Sequence, residues 1–175
     1  MNIAQLLQRS ALVHGDRPAV LAGARLLHDY RGLAARVAAL AGHLRQRCGV
    51  QPGERVAIYS ANCPEYLEAL HAISWCGAVS VPVNYKLHAR ELAHVLGDSG
   101  ARWVFADAAW ATAMPAGTGV ERVVVLDGAE HEALATSAER ASVAAVALDT
   151  PAWLFYTSGT TGRPKGVEIT HGNLA

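Results

Sequence analysis

Residues 151–170 constrain the fold and chemistry of this chain more than any other segment. Residues 151–156 are mostly apolar and predict a buried strand, and residues 166–170 alternate apolar with polar side chains, which predicts a second strand. Between them lie six consecutive Ser, Thr or Gly residues, 157–162, followed by Arg163, Pro164 and Lys165. Small residues, hydroxyl donors and one ammonium group are what a polyphosphate needs around it. The segment therefore predicts a strand, a phosphate-binding loop and a second strand.

The candidate phosphate-binding residues divide into three kinds of donor. Four of them have hydroxyl groups that can donate hydrogen bonds to phosphate oxygens. Two are glycines, whose backbone amides a ligand can approach closely, and one is a lysine, which supplies a positive charge. At roughly 4 Å in a partly screened site that charge attracts a phosphate by about 4 kcal/mol before desolvation is subtracted. The hydroxyl donors are Thr157, Ser158, Thr160 and Thr161, the backbone donors are Gly159 and Gly162, and the charge is Lys165.

Two other interpretations of this loop are a Walker-type site and a flexible linker. The Walker pattern G-x-x-x-x-G-K-[ST], begun at Gly159, would require its second glycine where Pro164 stands, and it requires a helix where a strand is predicted. A flexible hairpin loop or linker is the alternative for any Ser/Thr/Gly run. The Arg-Pro-Lys-Gly sequence of residues 163–166 favours the phosphate loop over that alternative.

The rest of the chain predicts an α/β fold with a mostly parallel sheet and helices on both faces. Asp29 is a candidate N-cap of a helix that ends by Gly49, and a second helix begins near Pro64 and ends by Gly77. Residues 129–149 predict a surface helix and a connector. Further strands are predicted at residues 55–59, 79–83, 102–106 and 122–126, and further helices around Leu92, Val95 and Leu96 and through Trp110.

Composition and charge exclude several classes of partner. The formal net charge is zero, so no basic field attracts nucleic acid or anionic lipid. The N-terminus lacks the pattern of a signal peptide, and the longest uncharged stretch, 73–83, is too short to span a bilayer. With 51% hydrophobic residues, the chain is expected to be globular and cytoplasmic.

Cysteine, histidine and tryptophan residues all favour structural roles over functional ones. The odd number of cysteines, with no C-x-x-C spacing, indicates reduced thiols, and the eight histidines form no H-E-x-x-H pair, so no metal site is expected. The tryptophans could stack on a base, but aromatic residues in apolar segments more often belong to the core. The residues concerned are Cys48, Cys63 and Cys76, and Trp75, Trp103, Trp110 and Trp153.

Residues 157–166 resemble the phosphate-loop signature of the adenylate-forming enzymes, the superfamily of acyl-CoA synthetases, luciferases and peptide-synthetase adenylation domains. Other segments resemble the same family in order along the chain. The Asp29 and Glu54 positions depart from the usual pattern by conservative changes. The similar segments are residues 16–19, 53–58, 62–65, 77–84 and 91–92.

The resemblance implies that residues 1–175 form the N-terminal part of the large AMP-binding domain, ending just after the phosphate-loop hairpin. Residues 1–150 would be a β-α alternating subdomain, and residues 151–175 the strand, loop, strand and start of a helix, with the C-terminal domain absent. His171 and Asn173 would open that helix without performing chemistry. No catalytic residue can be assigned, because the family's adenine, metal and acyl sites lie downstream, so this portion alone is expected to be inactive.

The implied reaction of the parent enzyme is ATP-dependent ligation of a small carboxylic acid to coenzyme A through an acyl-adenylate, with release of pyrophosphate. ATP, Mg²⁺ and coenzyme A are the implied cofactors. Residues 84–99 resemble fatty or aromatic acyl-CoA ligases more than peptide-synthetase adenylation domains, which stay an alternative. A nucleotide-binding or interaction module without catalysis is the alternative from another class. A homodimer through uncovered strand edges and helix faces is a second hypothesis.

Overall fold

The computed structural model describes residues 1–112, 114–157 and 163–175. Helices and strands alternate along most of this length, as the sequence predicts. The helices are α1 (Ala4–Val13), α2 (Tyr30–Gln46), α3 (Pro64–Trp75), α4 (Ala89–Ser99), α5 (Ala108–Ala111), α6 (Ala129–Ala135) and α7 (His171–Leu174). The strands are β1 (Pro18–Ala22), β2 (Arg25–Asp29), β3 (Arg55–Tyr59), β4 (Val79–Val83), β5 (Trp103–Ala106), β6 (Arg122–Val125), β7 (Pro151–Thr157) and β8 (Lys165–Thr170).

Six of the strands form one sheet in the order β6-β5-β3-β4-β7-β8. Every neighbouring pair is parallel except β7 and β8, which form an antiparallel hairpin at one side of the sheet. The other two strands, β1 and β2, pair with each other in a separate antiparallel hairpin. The predicted mostly parallel α/β sheet is confirmed.

Helices cover both faces of this sheet, because alternate residues of each strand point to opposite sides. In β3, Val56 and Ile58 pack into the cluster built with α2 and α3. Their neighbours Ala57 and Tyr59 pack into a second cluster, built with Leu92 and other apolar residues of α4. Two cores, one on each face, thus hold the sheet between helices, which confirms the predicted layering.

Local signals in the sequence place the longest helix correctly. The Asp29 carboxylate accepts a hydrogen bond from the backbone N–H of Gly32 at 2.6 Å, which is the predicted N-cap of α2. The helix ends at Gln46, and Gly49 follows with a φ of +68°, a conformation that favours glycine. The apolar residues of α2 that recur at helical spacing are all buried. They are Leu33, Val37, Leu40 and Leu44.

The first 29 residues fold into elements that the sequence patterns did not predict. Helix α1 buries Ala4 and Leu7, and the β1–β2 hairpin turns at Gly23, whose φ is +61°. The side chain of Asn2 is 1% exposed, and its amide donates to the carbonyls of Ser74 at 2.7 Å and Ala144 at 3.0 Å. The N-terminus is thereby tied to α3 and to the segment that precedes β7.

The surface helix and connector predicted at residues 129–149 are confirmed, since α6 spans Ala129–Ala135 and the residues after it connect it to β7. Helix α6 is short, and His131 and Ala135, one turn apart, are buried against the rest of the fold. The connector that follows is held by backbone hydrogen bonds, such as that from the Ala144 N–H to the Trp75 carbonyl at 2.8 Å. The segment thus lies at the surface, with most of its side chains exposed or half-buried and a few contacts holding it to α2 and α3.

Over residues 1–112, 114–157 and 163–175, no helix has the length and apolar character to cross a bilayer. Over the same residues, no three or more His, Cys, Asp or Glu side chains are grouped so that they could hold a metal ion.

Candidate functional site

The β7–β8 hairpin brings together two of the residues predicted to bind phosphate. Thr157, the last residue of β7, pairs with Lys165, the first residue of β8, and both are exposed. Both side chains therefore stand at the base of the connecting loop. The other predicted donors, Ser158, Gly159, Thr160, Thr161 and Gly162, lie outside the residues that the structure describes.

This base lies at the carboxyl edge of the parallel sheet. Strands β4 and β7 run parallel as neighbours, so Val83 and Thr157 end at the same edge. After β3 the chain continues into α3 on one face, and after β4 it continues into α4 on the other. In open α/β sheets, ligands bind outside the carboxyl ends of strands whose connections leave to opposite faces; here these are β3 and β4, and β4 is the neighbour of β7.

A cavity of about 270 Å³ opens beside the hairpin base. Its volume lies just below the usual range of small-molecule sites. The lining combines apolar, hydroxyl and charged groups. Among the lining residues are Val83, Asn84, Glu91, Tyr156, Thr157 and Arg163.

Helix α4 contacts both sides of the hairpin base. The Tyr156 hydroxyl donates to the Asp98 carboxylate at 2.6 Å, and the ring nitrogen Nε2 of His94 lies 3.0 Å from the Pro164 carbonyl. Burial and the Asp98 carboxylate raise the pKa of Tyr156, so its hydroxyl stays protonated as the donor. No sequence pattern reveals the contacts of His94 and Asp98, since the partner of each lies 58 or more residues away in the chain.

Gly166 leaves room for this arrangement. It pairs with Tyr156 across the hairpin, and a Cβ added to it would lie 2.9 Å from the Leu154 Cδ1 and 3.4 Å from the Tyr156 Cζ. The Tyr156 ring therefore packs over the backbone of Gly166, and its hydroxyl extends beyond this contact to the Asp98 carboxylate. This glycine follows Lys165 directly and is the second residue of β8.

A second polar contact fixes the carboxyl edge between β3 and β5. The Asp107 carboxylate accepts hydrogen bonds from the Ser60 hydroxyl at 2.5 Å and from the backbone N–H of Ala61 at 3.0 Å. Asp107 follows β5 and Ser60 follows β3, so the contact joins the ends of two adjacent strands. We assign it a structural role.

A buried charge cluster lies on the α2–α3 side of the sheet. The Glu68 side chain is 1% exposed and contacts Arg36 at 2.6 Å, His131 at 2.9 Å and His28 at 3.1 Å. Arg36 also binds Glu132 at 2.7 Å. Burial would raise the pKa of Glu68, but the hydrogen bonds from His131 and Arg36 outweigh it and lower the pKa below its usual value. The cluster joins β2, α2, α3 and α6.

The tryptophans belong to the packing of the fold. Trp75 is buried, and its indole N–H donates to the Ala141 carbonyl at 2.9 Å. Trp110 is half-buried, with its ring centroid 5.5 Å from that of Tyr59. Trp103 and Trp153 are also half-buried. These placements support the core interpretation over base stacking.

The three cysteines are free thiols, as the sequence predicts. Burial raises the pKa of both Cys48 and Cys76 to about 11, and it raises the pKa of Cys63 as well. A thiol with a raised pKa is protonated near pH 7 and unreactive. The structure therefore supports structural roles for all three.

His171 has the structural place that was predicted for it. Its side chain is fully buried, and its Nδ1 accepts a hydrogen bond from the backbone N–H of Ile3 at 3.2 Å. The Thr170 hydroxyl caps α7 by accepting the backbone N–H of Asn173 at 3.2 Å, and the side-chain Oδ1 of Asn173 accepts the backbone N–H of Thr170 in return. His171 and Asn173 thus open the helix and join it to the N-terminus.

Comparison with known proteins agrees with this geometry. Residues 7–175 match the family described as AMP-binding enzyme. A feruloyl-CoA synthase from an Amycolatopsis species is 43% identical over 148 residues, which are 83% of this chain and 28% of that protein. A fatty acid–[acyl-carrier-protein] ligase of Streptomyces coeruleorubidus is 38% identical over 159 residues, 88% of this chain and 30% of that protein.

Solved structures give the same result. An artificially fused adenylation–PCP di-domain, NpsA-ThdA from Klebsiella oxytoca, superposes with a TM-score of 0.82 at 31% identity, over 97% of this chain and 32% of that one. The fold and the hairpin thus define the N-terminal portion of an adenylate-forming domain. The chain belongs to the AMP-binding enzyme family. It spans 28% of the length of the feruloyl-CoA synthases that it matches.

Proposed function

We propose that these residues are the N-terminal part of the AMP-binding domain of an ATP-dependent carboxylic acid–CoA ligase. Residues 1–150 would supply the β-α scaffold and residues 151–175 the phosphate-loop hairpin. The observation that carries the proposal is the pairing of Thr157 with Lys165 at the carboxyl edge of the sheet, with the Ser/Thr/Gly run between them in sequence. Relatives named as CoA ligases support it.

The proposed reaction has two steps. A carboxylate oxygen of the acid attacks the α-phosphorus of ATP, the bond to the β-phosphate oxygen breaks, and pyrophosphate leaves. The thiol of coenzyme A then attacks the acyl carbon of the adenylate, and AMP leaves. In phosphoryl transfer of this kind, catalysis is mostly positioning and stabilisation of charge.

We assign the phosphate loop that positioning role. Its hydroxyl and backbone donors and its ammonium group would grip the β- and γ-phosphates, orient the α-phosphorus and stabilise the charge that grows on the leaving pyrophosphate. We propose Mg²⁺ as the metal ion that accompanies ATP, as the family resemblance implies. The proposed donors are Thr157, Ser158, Gly159, Thr160, Thr161, Gly162 and Lys165.

The acid and the thiol acceptor are the finer parts of the proposal. We propose an aromatic or fatty acid, supported by the relatives named feruloyl-CoA synthase and fatty acid ligase. The similarity to the NpsA-ThdA adenylation di-domain supports a peptide-synthetase adenylation domain as the second candidate. Transfer from a preformed adenylate to coenzyme A, compared with transfer to a carrier-protein thiol, separates these two functions.

The test uses the complete natural polypeptide that carries these residues, assayed by acid-dependent exchange of pyrophosphate into ATP with ferulate and with a fatty acid. Hydrogen bonds to charged groups contribute about 1.5–3 kcal/mol, so Lys165→Ala is expected to raise the KM for ATP or lower kcat by about 10- to 150-fold. The chain has one other lysine, the exposed Lys86, which does not line the cavity. Lys86→Ala is therefore the matched control.

Exchange that is insensitive to Lys165→Ala and Thr157→Val would contradict the proposal. ATP binding without any acid-dependent exchange in the natural polypeptide would favour the non-catalytic nucleotide-binding module. For residues 1–175 alone we expect no exchange, because the proposed adenine and acyl sites lie outside them. Measurable exchange by that portion would overturn this expectation.

We also propose a cytoplasmic location and, for residues 1–175 alone, a homodimer. Reduced cysteines support the former. The place of β8 at one side of the sheet and the exposure of Val167 and Leu148 support the latter. A monomeric mass by light scattering at high concentration would rule out the homodimer.

A further inference from the structure

Helix α4 presents two polar side chains one turn apart, His94 and Asp98, on the side that meets the β7–β8 hairpin. Residues four apart on a helix share a face. The rest of α4 is anchored firmly, because Leu92, Val95 and Leu96 are buried in the core on that face of the sheet. The two polar groups are therefore held on a rigid element.

Each of them contacts the residue next to a proposed phosphate ligand. Asp98 accepts the Tyr156 hydroxyl at 2.6 Å, and Tyr156 directly precedes Thr157. His94 lies 3.0 Å from the Pro164 carbonyl, and Pro164 directly precedes Lys165. Both sides of the loop base are thus bound to the same helix.

The chemistry of each contact fixes which group donates. A carbonyl oxygen only accepts, so Nε2 of His94 carries the proton that is shared with Pro164. A glutamine at position 94 has an amide N–H at a similar reach and keeps this donor, whereas leucine removes it. The carboxylate of Asp98 accepts from Tyr156, so asparagine keeps an acceptor and alanine removes it.

We propose that His94 and Asp98 are positioning residues of the phosphate loop. They hold Tyr156 and Pro164 so that Thr157 and Lys165 stay at the spacing the phosphates require. The inference rests on the proposed ATP-dependent function. In this proposal neither residue touches the acid substrate, so their substitution should change the KM for ATP and leave the KM for the acid unchanged.

The experiment compares steady-state kinetics of variants in the complete natural polypeptide. For His94→Leu, Asp98→Ala and Tyr156→Phe we expect the KM for ATP to rise about 5- to 10-fold, the size expected for a lost hydrogen bond, with the KM for the acid unchanged. His94→Gln and Asp98→Asn should restore most of the affinity for ATP. His14→Leu, at an exposed histidine outside the hairpin, is the control.

A double-mutant cycle sharpens the test. Because Asp98 and Tyr156 act through one bond, Asp98→Ala combined with Tyr156→Phe should raise the KM for ATP no more than either change alone. Tyr156→Phe removes the same bond as Asp98→Ala while it keeps the aromatic ring, so it tests the contact if the alanine variant does not fold.

Two results would overturn the positioning role. One is an unchanged KM for ATP in His94→Leu and Tyr156→Phe, and the other is an equal rise in the KM values of ATP and acid that His94→Gln does not reverse. If Lys165→Ala impairs the use of ATP in the same assay while these variants do not, only the positioning role falls. If Lys165→Ala is also without effect, the proposed function falls and the positioning role falls with it.

Discussion

Replacing Glu68 by glutamine tests how the buried charge cluster stabilises the fold. The carboxylate receives Arg36 at 2.6 and 3.1 Å, His131 at 2.9 Å and His28 at 3.1 Å, and its side chain is 1% exposed. Glutamine keeps the shape but removes the charge, and its amide group must face donors. Arg36 then keeps one carboxylate partner, Glu132.

The expected cost follows from this geometry. Removing one partner of a buried ion pair costs about 3–5 kcal/mol, because the other charge stays buried without compensation. The Glu132 carboxylate is 62% exposed and offsets part of the loss, but exposed pairs contribute only about 0.2–1 kcal/mol. For Glu68→Gln we therefore expect a loss of about 3 kcal/mol in the free energy of unfolding, which lowers Tm by roughly 6–12 °C.

The assay is urea unfolding at pH 7, followed by tryptophan fluorescence. Glu132→Gln is the matched control, because it removes the other carboxylate from the same Arg36 guanidinium at an exposed position. It should cost less than about 1 kcal/mol. Equal destabilisation by the two variants, or a loss below about 1 kcal/mol for Glu68→Gln, would refute the reasoning.

The difference in the free energy of unfolding between Glu68→Gln and the wild-type chain should also depend on pH. Folding lowers the pKa of Glu68, so the stabilisation from its charge is fully present above the unfolded pKa, about 4.3, and is lost as the pH falls through the folded pKa. The gap in stability should therefore be large at pH 7 and shrink on acidification below about pH 4.3. A gap that grows on acidification would contradict this assignment.

Two further predictions follow from single residues. Burial, and to a smaller extent the N-terminal ammonium, lower the pKa of His171. On acidification the unfolded chain therefore binds a proton at this position before the folded chain does, and the stability falls as the pH drops through about 6.5. His171→Asn should flatten the dependence of Tm on pH between about pH 7 and 5, whereas the exposed control His14→Asn should not. Gly77 has a φ of +81°, and a Cβ added there would lie 3.0 Å from the Cβ of Ala144. Gly77→Ala should therefore lower the free energy of unfolding, measured with urea, by about 1–2 kcal/mol. Gly97→Ala, at an open position in α4, should raise it by about 0.5–1 kcal/mol.

The parts of the fold that sequence patterns predict are those with strong local signals. Strands β3 and β4 begin and end at the predicted residues, because short apolar runs bounded by Gly and polar residues have few other structures open to them. The N-cap at Asp29 is local too, since the bond it makes spans three residues. The apolar positions of α4 were identified by their spacing and are buried.

Other parts have no such local signal. In α1, Leu6, Leu12 and Val13 are 51%, 82% and 63% exposed, so its apolar residues do not mark one buried face. In α6, one of the two buried residues is His131, which a periodicity of apolar side chains cannot detect.

The same reason explains what was missed at the candidate site. The loop residues form a contiguous motif, so the sequence identifies them together. The contacts of His94 and Asp98 join positions 70 and 58 residues apart, and no pattern within α4 distinguishes these side chains from ordinary polar residues of an exposed helix face. Only the parallel pairing of β4 with β7 brings α4 beside the hairpin.

The strand that follows the loop decides which groups can bind phosphate here. In a Walker-type site the loop leads into a helix, whose N-terminal amides and dipole attract the anion. Here Lys165 begins β8, an antiparallel strand, so no helix dipole follows the loop. Under the proposed function the donors would then come from the loop itself, in agreement with its six consecutive Ser, Thr and Gly residues and the lysine at its end. The pairing of β7 with β8 sets the base of this loop, and in our proposal the contacts of α4 with Tyr156 and Pro164 hold that base in place.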